Sequence, residues 1–597
     1  MPPKRNRLRE LLASYVLPHK RLVGSLATLL FSSIGLQILN PQIMRGFIDA
    51  ARSETSLDLV LRAGFLFLAI AVGQQVLAIG ARYLSERLAW TATNALREDL
   101  ALHCLRLDMA FHNKRTPGEM IERVDGDVGH LANFFSQFTV RIVGNLFLLA
   151  GVLGVLFYED WRLGAALAVY AFLTVFGLAM MRNTAVPAWE EAREASAGLF
   201  GFLEEHLSGT EDIRANGGQE HSMNLLYDHA GRRLRTERVA GLRNVRLWGL
   251  TGGLHVLGHI IGLGGGYLLY QSGQMTVGTV FMVIWYTDIL FRPLEQITRE
   301  LEDFQRASAS ITRVDHLRQE LSTIDVVEGA PFAPTDRGDQ PQVQGSIAKG
   351  VPLGVDLDQV SFGYDPEDLI LKQVDLHIEP NRVVGLLGRT GSGKTTISRL
   401  LFRLYDVQEG RIRIGGTDVR DVAPWDLRQR VGIVTQSVQL FRGTVRDNLT
   451  FFAKDVPDDH ILDVINTMGL SDWFSTMSDG LDTHLASGGG GLSAGEAQLL
   501  VFTRVFLKDP GLVILDEASS RLDPATEARI ELAVEHLLAR RTGIIIAHRL
   551  ATVQRADDII ILDDGRIAEF GERETLAADP DSRFSGLLKT GLSQVLS

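Results

Sequence analysis

Residues 383–395 read VVGLLGRTGSGKT, an apolar run followed by three glycines, a lysine and a threonine at fixed offsets. The run Val383–Leu387 has the composition of a buried strand, and Ile397–Arg403 reads as the start of a helix. Strand, glycine-rich turn and helix in that order form the setting that separates a phosphate-binding loop from a chance match. Gly388, Gly391 and Gly393 let the backbone wrap closely, so that successive N–H groups converge on an anion at a helix N-terminus. Lys394 then reaches the terminal phosphates, and the Thr395 hydroxyl is placed to ligate Mg²⁺. Arg389, Thr390, Ser392 and Thr396 complete the stretch expected to line the phosphates.

Working outward, a second apolar strand, Leu512–Leu515, ends in Asp516–Glu517. Such a pair means little alone. Downstream of a phosphate loop, Asp516 reads as an Mg²⁺ partner and Glu517 as the general base that polarises the attacking water. Short β-rich runs alternate with helical stretches throughout 355–597, as in an α/β domain. Upstream, 323–354 gathers Pro, Gly, Asp and Gln in EGAPFAPTDRGDQPQ and reads as a linker.

Residues 1–322 are different. Six apolar stretches, near Leu22–Gly46, Leu59–Tyr83, Val140–Phe157, Leu163–Met181, Leu247–Tyr270 and Val277–Thr298, have the roughly 20 residues that a membrane span requires. Arginines and lysines crowd the N-terminus and the connections after the second and fourth stretches, while Asp49–Asp58, Tyr158–Arg162 and Gln271–Thr276 are short and poor in cations. The positive-inside bias therefore puts both termini and the two long connections in the cytoplasm. Those connections are rich in helix formers, so the spans are expected to continue as helices below the membrane. The basic N-terminus lacks the short apolar core and cleavage site of a removable signal peptide.

The 597 residues exceed one core and carry a net charge of −12, with 46% hydrophobic residues and 22% charged. That charge speaks against a nucleic-acid partner, which needs a clustered basic surface. One cysteine, Cys104, excludes an internal disulfide framework and a Cys-based zinc site. Polar residues occur inside the spans: Gln74 and Gln75 in the second, Asp288 in the sixth, and His255 and His259 four apart on one face of the fifth. Ionisable groups at that depth are costly and face a cavity or a partner. Asp288, His255 and His259 are thus candidates for a substrate path, against interhelical hydrogen bonding as the alternative. Two histidines alone are too few for a metal site. The fifth span is also rich in glycine, from Gly249 to Gly266, which suits close packing of helices or a moving gate.

The order of these features resembles the ABC transporter family, specifically exporter-type half-transporters, over nearly the whole chain. The resemblance implies an all-α six-helix transmembrane domain with long cytoplasmic extensions, followed by an α/β P-loop ATPase domain, with ATP and Mg²⁺ as cofactors. It implies that Tyr364, in VSFGY, stacks on adenine. Gln436 senses Mg²⁺ and the γ-phosphate, His548 acts as the γ-phosphate switch, and SRLD (Ser520–Asp523) couples two ATP sites. FHNKRTPGEM (Phe111–Met120) and EHLSGTEDIRANG (Glu205–Gly217) look like the two coupling segments, with Thr116, Pro117, Gly118, Glu119, Ser208 and Gly209 at their centres.

LSAGE, Leu492–Glu496, stands at the signature position, where the family pattern is LSGGQ. Ser493 and Gly495 are kept, while Ala494 and Glu496 depart. In the family this segment closes on the ATP held by the other subunit. A methyl at 494 crowds that approach, and an acid at 496 opposes a polyphosphate. Ser487 also stands where a family acid is expected. Intact ATP-holding residues beside an altered signature resemble one member of an asymmetric heterodimer. The expected activity is ATP-driven export of a lipophilic, amphiphilic or peptide-like solute across a bacterial inner or plasma membrane. Its partners would be a non-identical half-transporter and the lipid bilayer. Uptake of a metal-chelating compound, or an ATPase-coupled sensor without a solute, are the rival activities for this architecture.

Overall fold

A computed structural model describes residues 9–52, 57–324, 350–435, 438–489, 491–516, 524–547 and 553–590. The chain divides into two compact units, Met1–Arg106 with Thr116–Glu320, and Leu107–Arg115 with Leu321–Ser597.

The first unit is helical. Its long elements are α1 (Lys20–Arg52), α2 (Leu57–Arg106), α4 (Gly144–Glu159), α5 (Trp161–Ser208), α6 (Gln219–Gln271) and α7 (Val277–Gln319). Among the described residues, five helices are long and apolar enough to cross a membrane: Arg9–Arg52, Val60–Arg106, Trp161–Leu178, Gln219–Gln271 and Val277–Leu294. The sixth apolar helix, α4, has 16 residues and continues from a π-helical stretch, Phe134–Val143. At 1.5 Å per residue, the 53-residue α6 runs for about 80 Å, far beyond a hydrocarbon core of about 30 Å. The spans therefore do extend as helices past the membrane.

Two of the cation-poor connections, at Tyr158–Arg162 and Gln271–Thr276, are tight turns fixed by caps. Asp160 alone separates α4 from α5, and its carboxylate accepts from the N–H groups of Arg162 (2.8 Å) and Leu163 (3.2 Å). Thr276 caps α7, and Asp49 accepts from both the Thr276 hydroxyl (2.6 Å) and the Gly278 N–H (2.9 Å). Both carboxylates satisfy donors that a helix start otherwise leaves unpaired.

The interior of this unit packs Ile34, Leu148, Val152, Leu156, Leu167, Tyr170, Met282, Tyr286 and Leu290. Outside it, Phe65, Val72, Val76, Phe172, Phe176 and Ile260 are exposed. A water-soluble protein rarely exposes so many large apolar side chains on long apolar helices, and a lipid bilayer would cover them. Glycines of α6 allow close helix approaches. A Cβ at Gly258 would lie 2.7 Å from the Tyr170 ring, at Gly262 2.7 Å from Thr287 Oγ1, and at Gly266 3.1 Å from Val280. Close packing accounts for these positions.

The second unit holds two main sheets. One is antiparallel, in the order β2 (Leu371–Ile378), β1 (Val355–Phe362), β4 (Glu409–Ile414), β5 (Thr417–Asp418). The other runs β12 (Arg566–Glu572), β11 (Asp558–Asp563), β3 (Val383–Gly388), β10 (Thr542–Ile546), β9 (Leu512–Asp516), β6 (Val431–Val434), parallel except at β12. Two further strands, β7 (Gly443–Thr444) and β8 (His484–Leu485), pair apart from them. The β3 run is buried on both faces, with Val384 and Leu386 in one core and Leu387 in the other. Covered on both sides, a parallel strand reads as a continuous apolar run, as Val383–Leu387 does.

Candidate functional site

The phosphate loop leaves the carboxyl end of β3, which lies between β11 and β10. It enters helix α8 (Lys394–Leu401). Gly393 is left-handed (φ 105°), and a Cβ there would lie 2.6 Å from Leu371. At Gly388 a Cβ would lie 2.2 Å from the Leu562 carbonyl. Neither position admits a side chain, so the cradle stays open to an anion. The Lys394 ammonium is 5% exposed and donates to the carbonyls of Gly388 (2.7 Å) and Arg389 (2.9 Å). Ser392 Oγ is buried and has no hydrogen-bond partner among the described residues. A buried hydroxyl without a partner costs free energy that a phosphate oxygen would recover. Thr395, at the first turn of α8, is exposed.

Strand register brings the acid to the loop. Ile546 of β10 pairs with Leu386 on one side and with Asp516 on the other. Asp516, 8% exposed, therefore closes β9 at the same level at which β3 enters its loop. The donor set suits Mg-ATP: a glycine cradle, an orphaned hydroxyl, one mobile cation, and hydroxyl plus carboxylate oxygens for a hard metal. Glu517, Gln436, His548 and Ser520–Asp523 lie outside the described residues.

Tyr364 is partly exposed after β1. Its ring meets Phe362 (5.3 Å, 86°) and Tyr405 (5.1 Å, 77°) edge-on. Arg399 donates to its hydroxyl at 2.8 Å and holds its guanidinium 5.7 Å from the ring centroid. The Tyr364 residue is 38% exposed, which leaves part of the ring available for stacking. Arg399 and Tyr405 were not singled out from the sequence; Arg399, one turn into α8, carried the only signal that spacing could have offered.

Ser493 caps α9 (Ala494–Leu507) in a reciprocal capping box with Glu496. The Glu496 N–H donates to Ser493 Oγ (3.2 Å), and Glu496 Oε2 accepts from the Ser493 N–H and hydroxyl (2.8 Å each). The Ser493 hydroxyl is thereby committed to its own chain. Ala494 is exposed beside it, and Gly495 is buried.

The short helix α3 (Met109–Asn113) belongs with the second unit, not with the helices on either side of it in the chain. Asp108 caps it by accepting from the Phe111 N–H at 3.0 Å, and the same carboxylate accepts from Thr323 N–H (2.5 Å) and hydroxyl (2.6 Å). Burial pushes the Asp108 carboxyl up, but these hydrogen bonds outweigh it and hold it below the usual carboxylate range. Ala110 packs on the sheet core, and Asn113 donates to the Tyr405 hydroxyl at 2.5 Å. The segment read as Phe111–Met120 thus docks through residues 107–115. Thr116, Pro117, Gly118 and Glu119 form the next helix, capped by Thr116, in the helical unit. Ser208 ends α5, and Gly209 leads into Thr210–Ala215.

Within the membrane unit, Asp288 on α7 faces His255 and His259 of α6. Its Oδ1 is 3.2 Å from His259 Nε2 and 3.7 Å from His255 Nε2. A cavity of about 300 Å³ opens between α1, α2 and α4, lined by Gln37, Gln74, Arg82, Glu86 and Asn145 among apolar neighbours.

Residues 24–294 match the family model described as ABC transporter transmembrane region, and 371–520 match the one described as ABC transporter. The chain is 30% identical to an ATP-dependent lipid A-core flippase of Syntrophus aciditrophicus over 84% of its length and 80% of the relative's. It is 29% identical to a fatty acid ABC transporter ATP-binding/permease protein of Mycobacterium bovis, over 89% and 80%. In fold it is similar to a bacterial Atm1-family ABC exporter solved with ATP bound, at 24% identity and a TM-score of 0.76, covering 96% of this chain and 98% of that one.

Proposed function

The chain belongs to the ABC transporters, with fused transmembrane and ATP-binding domains, and on that premise we propose that it exports an amphiphilic, lipid-like solute as one half of an asymmetric dimer. ATP hydrolysis coupled to transport is the activity of the family. The observation that carries the reading is the phosphate cradle of Gly388–Thr395, with its orphaned Ser392 hydroxyl, built into the same chain as the spanning helices.

ATP would draw the Lys394 ammonium from the carbonyls of Gly388 and Arg389 onto its phosphates. Tyr364 would hold the adenine. Thr395, Asp516 and Gln436 would hold Mg²⁺, which supplies charge neutralisation at the β- and γ-phosphates. On the family resemblance, Glu517 would polarise the attacking water and His548 would contact the γ-phosphate. Closure of two ATPase domains on ATP, passed to the spans through the coupling segments, would open the cavity outward. A 1:99 to 99:1 inversion needs ~5.5 kcal/mol of differential binding.

An amphiphile is favoured by the names of the two relatives and by a cavity that mixes Gln, Arg, Glu and Asn with apolar walls. Asymmetry is favoured by Glu496, whose carboxylate both occupies Ser493 and places negative charge where a partner's triphosphate would come. Co-purification from the native host tests the partner: a stoichiometric, non-identical half-transporter is expected. A stable, active homodimer of this chain alone would reject the asymmetric arrangement. Inverted vesicles should accumulate the solute, and uptake by whole cells instead would reverse the direction.

A further inference from the structure

His259 Nδ1 lies 3.0 Å from the backbone carbonyl of His255, which can only accept. The Nδ1 atom must therefore carry the proton, and in the neutral ring Nε2 presents its lone pair. That lone pair points at Asp288 Oδ1, itself an acceptor, 3.2 Å away. Either a proton or a metal ion can bridge these two atoms, and the third ligand atom nearby is what favours a metal. His255 adds a third donor atom, 3.7 Å from the same oxygen, and its Nδ1 has no hydrogen-bond partner among the described residues. One ligand atom from each of the three residues lies within 4.8 Å of the others.

These spacings resemble the edges of a zinc tetrahedron. With Zn–N and Zn–O bonds of about 2.0–2.2 Å, ligand atoms sit about 3.3–3.5 Å apart. The two Asp–His edges already bracket that value, and the third edge, between the two imidazoles, is within 4.8 Å. The His259–carbonyl bond is the kind of outer-shell contact that fixes the tautomer and orientation of a metal-binding imidazole. The backbone supports the arrangement as well. Gly262 and Gly266 bring α6 against Thr287 and Val280 of α7, one and two turns from His259. This packing fixes the register that sets Asp288 opposite the histidines.

The geometry points to a three-ligand site for a divalent transition metal of the zinc type, formed by His255, His259 and Asp288 between α6 and α7. The imidazole–carboxylate set disfavours Mg²⁺ and Ca²⁺ and favours zinc or its neighbours. Three protein ligands leave a fourth position open, as in catalytic zinc sites. All three side chains are partly exposed, so an incoming donor group could reach it. This goes beyond amphiphile export: the metal is either a resident of the membrane unit or part of what it carries.

The test uses the full chain, free of any histidine tag, in lipid nanodiscs. Zn²⁺ is titrated calorimetrically, and Co²⁺ is read by its visible absorption. One Zn²⁺ per chain is expected, with an intense four-coordinate Co²⁺ spectrum. Asp288→Asn and His259→Gln should each weaken binding at least roughly tenfold, the loss that even an outer-shell partner can cost. Asp288→Glu, which keeps the carboxylate, should recover most of it. Folding of each variant is checked by the shift of its thermal transition on adding ATP. No Zn²⁺ bound to the wild type, equal affinity in the variants, or a weak six-coordinate Co²⁺ spectrum would overturn the site and leave a proton as the shared cation.

Discussion

Glu496 Oε2 accepts two hydrogen bonds from Ser493, one from its N–H and one from its hydroxyl, both at 2.8 Å. The helix cap and the departure from the family signature are thus one feature. Glu496→Gln keeps the cap, because the amide oxygen still accepts, and removes the charge. At about 8 Å and an effective dielectric near 40, one charge against another is worth about 1 kcal/mol. ATP affinity at the site opposite this signature should therefore rise roughly fivefold, with thermal stability nearly unchanged. Equilibrium binding with the other site disabled would show it, and unchanged affinity would mean the charge is screened.

Lys394 is a cation at the cradle, held by the carbonyls of Gly388 and Arg389. Charge-assisted hydrogen bonds contribute about 1.5–3 kcal/mol each, so Lys394→Ala should weaken ATP binding roughly 100-fold or more at this site. Filter binding of labelled ATP is the readout. Affinity within a few-fold of wild type would remove Lys394 from the phosphate contact.

The adenine platform and the docked segment share Tyr405, which accepts from Asn113 and packs on Tyr364. Tyr405→Phe should keep the packing and lose the hydrogen bond. The ATP concentration for half-maximal hydrolysis should stay within about twofold, since a neutral hydrogen bond contributes about 1 kcal/mol and is not to ATP itself. Solute moved per ATP hydrolysed should fall. An unaltered ratio would show that the Asn113 contact plays no part in coupling.

Asp108 anchors the same segment, and its folded carboxyl lies below the ordinary range. A depressed carboxylate contributes stability that is present above its unfolded pKa and lost as pH falls through the folded one. Asp108→Asn should accordingly unfold at lower temperature than wild type at neutral pH, with the gap narrowing below pH ~4. Scanning fluorimetry across that range checks it. A gap independent of pH would assign the loss to shape, not charge.

The phosphate loop, the two apolar strands that flank the site and the spans were legible because glycine spacing and apolar length are local properties of the chain, whereas the strand order around the loop was not. Nor was Asp288 facing His259. That pairing depends on the register between two helices, and the register is set by Gly262 and Gly266 against side chains of α7. Each titratable residue was visible in the sequence, but their convergence was not, so two histidines looked too few for a metal. The Ser493–Glu496 box was legible as S-x-x-E before a helix. Its meaning was masked by reading the same residues only as a departure from a family pattern. Docking of residues 107–115 rests on Asp108, Ala110 and Asn113, which carry no local signal of a partner.

ATP-driven movement of a lipid-like amphiphile is the central proposal, and translocation in proteoliposomes tests it most directly. The chain, with whatever half-transporter co-purifies with it, would be reconstituted with a fluorescent lipid whose leaflet is read by quenching. Transfer should depend on ATP and be lost in both Lys394→Ala and Glu517→Gln, the second while still retaining bound nucleotide. Hydrolysis of ATP by the wild-type assembly without any ATP-dependent transfer of the lipid, or transfer undiminished in both variants, would contradict the account.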